Sequence, residues 1–142
     1  LRKIILLGAL LAGCGGVDGE EPPPLQVGTY HGRVWLDLHS SHGGNPPIVD
    51  MPLTYELFIV DGNVWRIHDV AGRCSSDVSG GNPFFASAND GCYDFDTSIV
   101  YKARGYGDFD GSKLYIEYTN GDWWFGTDDS GSLKGFFEGE LE

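Results

Sequence analysis

Tyr101–Thr119, YKARGYGDFDGSKLYIEYT, is the stretch whose reading decides the fold. Two runs of alternating apolar and polar residues flank the turn-forming dipeptide Asp110-Gly111, the pattern of an antiparallel hairpin. With Asp110-Gly111 at the centre of a two-residue type I′ turn, Asp108 falls opposite Lys113 and Arg104 opposite Glu117 on one face. The other face then carries Tyr101, Ala103, Gly105 and Gly107 against Leu114, Ile116 and Tyr118. A slip of one residue would destroy both charge pairs and mix the faces.

The same logic extends along the chain. Asn120-Gly121 is the next strong hairpin dipeptide, and a turn there returns Trp123 and Phe125 beside Tyr118 and Ile116 and sends Trp124 outward near Glu117. The final strand, LKGFFEGEL, then turns Leu133, Gly135, Phe137, Gly139 and Leu141 inward and Lys134, Phe136, Glu138 and Glu140 outward. Upstream, a three-residue Asp61-Gly62-Asn63 loop aligns Tyr55, Leu57 and Ile59 with Trp65 and Ile67. The first strand, GTYHGRVWLDL, sets Tyr30, Val34, Leu36 and Leu38 on one side. Alternating glycines in the first and last strands favour sharp bends.

These runs predict strands at about 28–39, 52–60, 64–71, one or two near 83–96, 98–107, 113–119, 122–127 and 132–142. No stretch sustains a helical period beyond two turns. The expected fold is all-β: a small antiparallel up-and-down β-barrel or strongly curved meander, which hides its edges. A two-sheet sandwich is the alternative that the same pattern allows.

Residues 1–13 carry Arg2 and Lys3, then an apolar run from Ile4 to Ala12 that is shorter than the ~20 residues of a membrane-spanning helix. These are the proportions of an export signal. Leu11-Ala12-Gly13-Cys14 resembles the lipobox of bacterial lipoproteins, which implies cleavage before Cys14, lipidation of that cysteine and a membrane anchor in the bacterial cell envelope. Gly15 after the cysteine points by resemblance to the outer membrane. Residues 14–26 then read as lipidated cysteine and flexible tether, rich in Gly, acid and Pro, and residues 27–142 as the β domain. At fold level alone, the domain resembles small lipocalin-like barrel lipoproteins.

With Cys14 lipidated, Cys74 and Cys92 remain as a pair, and an exported chain meets the oxidising conditions a disulfide requires. The alternatives, a metal site or a catalytic thiol, lack a CxxC pair or a neighbouring His. The formal charge is −12, and −14 once Arg2 and Lys3 are cleaved away. That charge argues against nucleic acid and anionic lipid headgroups as partners.

Motifs for chemistry are sparse. Tyr106–Glu117 places Asp108, Asp110, Gly111 and Glu117 at EF-hand positions, but Tyr106 and Lys113 stand where an oxygen ligand and an aliphatic side chain belong, so a hairpin is the simpler reading. His39 and His42 lack a third ligand at motif spacing, and His31 and His68 are isolated. There is no GxSxG elbow and no phosphate-binding glycine loop before a helix. The sequence therefore predicts a non-enzymatic protein without metal or cofactor.

The remaining signal is aromatic. In the expected registers Tyr106, Tyr115, Trp124 and Phe136 point outward among Arg104, Glu117 and Lys134, a candidate surface for a protein or glycan. Alternative roles are an acidic inhibitor of a basic hydrolase such as a lysozyme, and a carrier of a small hydrophobic ligand. The bulky inward set (Trp65, Trp123, Tyr55, Tyr101, Tyr118, Phe125, Phe137) favours a filled interior over a pocket.

Overall fold

The computed structural model describes residues 20–62, 64–71, 74–79 and 81–142, so the lipobox and Cys14 lie outside the described residues. Those residues form nine strands and no helix: β1 (Gly28–Ser40), β2 (Val49–Asp61), β3 (Val64–Asp69), β4 (Ser75–Ser79), β5 (Phe84–Ala88), β6 (Cys92–Asp94), β7 (Ile99–Phe109), β8 (Lys113–Phe125) and β9 (Asp129–Leu141). Eight of them close an antiparallel barrel in the order β1-β2-β3-β4-β5-β7-β8-β9, with β9 returning to β1. β6 is the extra strand. It shares an edge of β7 with β5, which pairs with residues 104–107, while β6 pairs with residues 99–101.

The inward side chains pack into one core. Tyr30, Val34, Leu36, Leu114, Ile116 and Phe137 are among its least accessible members. Burial alternates strictly along β7 from Ile99 to Phe109, the period-2 signature read from the sequence. Two inward glycines allow the close strand approach that tight closure demands. A Cβ at Gly105 would run into the Glu117 carbonyl, and one at Gly135 into the carbonyl of Trp35.

The β2–β3 register is the expected one, with Leu57 opposite Ile67 and Ile59 opposite Trp65. The β7–β8 register differs. Phe109 pairs with Leu114 and Asp108 with Tyr115, so the turn centres on Gly111-Ser112, one residue beyond the expected position. Gly111 has φ +106°, which glycine adopts without strain. The Asp110 carboxylate explains the displacement, since it accepts N–H bonds from Ser112 (2.9 Å) and Lys113 (2.8 Å). Aspartate does this from the position before a turn, not from its centre. The expected Asp108–Lys113 and Arg104–Glu117 pairings therefore do not form. Lys113 reaches across to Glu138 (3.6 Å) and Glu140 (3.9 Å) on β9 instead. The register has moved by two residues, so both faces survive.

Asn120-Gly121 does not turn the chain. β8 runs unbroken from Lys113 to Phe125, and the pairing jumps from Gly105–Tyr118 to Arg104–Asn120 on one side and from Tyr118–Gly135 to Asp122–Ser132 on the other. Thr119 and Asn120 both face solvent at this bulge, which resets the phase so that Trp123 is buried. A turn at Asn120 would leave residues 99–104 of β7 without a partner on that edge. The chain reverses instead at residues 126–128, and Phe125, expected inside, lies exposed at the barrel rim.

The segment between Cys74 and Phe84, read as loop, contributes β4. Its sequence, SSDVS, sends only Val78 into the core and so shows little apolar periodicity. The Cys74–Cys92 disulfide forms, with Cα atoms 4.7 Å apart, and ties the residue before β4 to β6. Chain direction places it at the end of the barrel that also carries the 41–48 and 126–128 connections. At the opposite end the packed structure reaches back past Val27: Leu25 is buried in the core, and the Pro23 and Gln26 carbonyls accept bonds from Asn82 Nδ2 and the Tyr30 hydroxyl. Residues in the expected tether thus form a strap across that end.

Candidate functional site

Five outward residues stand in one cross-strand line over five neighbouring strands: Trp35 on β1, Phe136 on β9, Glu117 on β8, Tyr106 on β7 and Phe85 on β5. Four inter-strand steps make this line about 19 Å long, at roughly 4.8 Å per step. Tyr115, two residues before Glu117, faces the same way. The Trp35 and Phe136 rings are near-parallel with centroids 6.0 Å apart, and Phe136 and Tyr115 repeat that relation at 6.0 Å. Tyr106 tilts against Phe85 at 5.1 Å.

Two shallow depressions flank Glu117. One, of about 350 Å³, is lined by Trp35, Tyr115, Lys134 and Phe136; the other, of about 260 Å³, by Pro83, Tyr106, Asp108 and Tyr115. Tyr115, Glu117 and Thr119 border both, so the two form one groove. Its polar groups sit at the centre and edge: the exposed Glu117 carboxylate accepts, while the Lys134 ammonium and Thr119 hydroxyl donate. Partial burial, with Glu117, Glu138 and Asp108 nearby, raises the Tyr115 pKa, and its neutral phenol can donate or accept a hydrogen bond.

Of the four aromatics expected to form one surface, the structure brings Tyr106, Tyr115 and Phe136 together. Trp124 stands apart, opposite Val100 and Ser130, about 20 Å along the sheet from the Tyr106 row. Its expected place beside Glu117 depended on a turn at Asn120. Sequence reasoning missed Trp35 and Phe85. The signal for Trp35 was its outward phase in the first strand, which becomes informative only once that strand is paired with the last. In Pro83-Phe84-Phe85, one of two successive phenylalanines must face out of any strand.

The histidines do not converge. His39 lies 3.4 Å from Asp37, and His42 3.3 Å from Asp129, whose carboxylate also accepts from Ser40 at 2.7 Å. Among the described residues no group of three or more His, Cys, Asp or Glu is placed to hold a metal ion. Tyr106 and Glu117, the outer positions of the EF-hand-like stretch, are direct cross-strand partners in a hairpin. Inside the barrel, the Tyr55 and Tyr118 hydroxyls meet at 3.2 Å, and burial pushes the Tyr118 pKa up. No family model matches the chain, and no curated protein matches it.

Proposed function

We propose that the protein is a non-enzymatic, lipid-anchored module of the bacterial cell envelope that binds a neutral glycan along the outward groove. The observation that carries this reading is the line Trp35–Phe136–Glu117–Tyr106–Phe85 with Tyr115 beside it. Apolar C–H faces of sugar rings pack on aromatic side chains, while hydroxyls bond to polar groups set between them. The groove supplies both, over a length that suits a short oligosaccharide. Anchoring rests on the lipobox at Cys14. The strap across one barrel end would direct that end toward the membrane and leave the groove on the barrel wall accessible.

Binding of the full chain to a panel of neutral oligosaccharides, followed by titration calorimetry of the best ligand, tests the reading. Phe136→Ala and Tyr106→Ala are each expected to weaken binding about tenfold, or about 1.4 kcal/mol, for loss of one large aromatic contact. If no neutral oligosaccharide binds the unmodified chain, or if both variants bind it as well as the unmodified chain does, the groove is not a glycan site.

A further inference from the structure

A second outward patch occupies the disulfide end of the barrel, independent of the glycan reading. Tyr93 on β6, Val100 on β7 and Trp124 on β8 are successive cross-strand partners. Phe95 meets the Tyr93 ring edge-on at 4.9 Å. Phe95 is 69% exposed, Tyr93 37% and Trp124 36%. β6 is not needed to close the barrel, yet its three residues and the Cys92 disulfide hold Tyr93 in line with Trp124.

Carboxylates outnumber bases among the charges bordering this patch. Asp90 precedes β6, Asp96 follows Phe95, and Asp122 is the next outward residue before Trp124 on β8. None of the three forms an ion pair with another described residue. Lys102 is the base facing Asp122 across the β7–β8 ladder. Aromatic faces beside carboxylates outside any ion pair complement guanidinium and ammonium groups, which gain from both at once. The same carboxylates oppose an anionic lipid surface or a second copy of this acidic chain.

We infer that the Tyr93–Phe95–Trp124 patch docks a cationic protein segment, with Arg or Lys side chains lying over the rings and paired to Asp96 and Asp122. The test is titration of the full chain with a short Arg-rich peptide, at low and high ionic strength. Phe95→Ala and Trp124→Ala are each expected to weaken binding about threefold, and the double variant about tenfold. Asp96→Asn combined with Asp122→Asn should weaken binding and flatten its salt dependence. Equal binding by the unmodified chain and the double aromatic variant would mean diffuse charge attraction and would overturn the proposal, as would absence of binding at low ionic strength. Phe95 is largely solvent-exposed, so if Trp124→Ala fails to fold, Phe95→Ala alone decides. Vesicles of anionic lipid provide the counter-probe: binding that matches the peptide's and is lost in Phe95→Ala would assign the patch to membranes instead.

Discussion

Asn82 acts as a length of backbone where the chain has none to offer. Its Nδ2 donates to the Phe109 carbonyl at 2.7 Å and its Oδ1 accepts the Phe109 N–H at 3.0 Å, which continues the β5–β7 ladder past Phe84–Gly107. The same Nδ2 holds the Pro23 carbonyl at 2.6 Å, so one amide joins barrel closure to the strap. Removing it strands part-buried backbone groups as well as deleting bonds. Asn82→Ala should therefore destabilise the fold by about 2 kcal/mol in urea unfolding, and should speed proteolysis near Pro23. Tyr30 supports the strap from inside. Burial pushes its pKa up from 10.0 to about 12. A raised pKa in the folded state means that the neutral phenol contributes its stability fully below pH 10, and that this contribution is lost as pH climbs toward 12. Tyr30→Phe removes that titration along with the bond to Gln26. The variant should be slightly less stable at neutral pH, yet its thermal midpoint should fall less steeply than the parent's above pH 10.

At the scale of the strand pair, Asp110 sets the β7–β8 register. Its carboxyl is held below the usual range by the backbone N–H groups of Lys113 and Ser112. A depressed pKa contributes stability above the unfolded value, near 3.9, and loses it as pH falls through the folded value. Asp110→Asn keeps an oxygen acceptor but does not titrate. Its thermal midpoint should drop less than the parent's below pH 4, while Asp110→Ala should be weaker at every pH. This hairpin also marks how far the sequence was legible. Strand faces followed from period-2 alternation, and they survived a displaced turn because the register moved by two residues. Charge pairing was the wrong guide to the turn itself, because Lys113 had better partners on β9 that became visible only once the barrel closed. Asn120-Gly121 failed for a similar reason: the local turn preference lost to the need of an eleven-residue β7 for a partner along its whole length. The candidate surface inherited both effects. Tyr106, Tyr115 and Phe136 were found through their faces, Trp124 was misplaced through the turn, and Trp35 and Phe85 were missed because their neighbours are far away in sequence.

For the whole molecule, the decisive contacts are the two pairings that join strands not consecutive in the chain. β1 and β9 meet over eleven residue pairs, from Tyr30–Leu141 to Ser40–Gly131, whereas β5 and β7 meet over only four. The long seam buries Val34, Leu36 and Phe137 with no measurable exposure. The short one is reinforced at one end by Asn82. At the other, the Cys74–Cys92 bond draws β6 against β7 and ties it to the start of β4. The disulfide therefore braces the weaker closure without forming part of the barrel. In the chain-entropy picture a loop of this size is worth about 3 kcal/mol. Cys74→Ala combined with Cys92→Ala should lose that amount in urea unfolding while retaining the far-ultraviolet spectrum of the parent. Hydrogen exchange in the variant should rise first at residues 92–94 and 84–88, while the amides of Val34, Leu36 and Phe137 continue to exchange only through global unfolding. Simultaneous loss of protection at both seams would show instead that the bond closes the barrel.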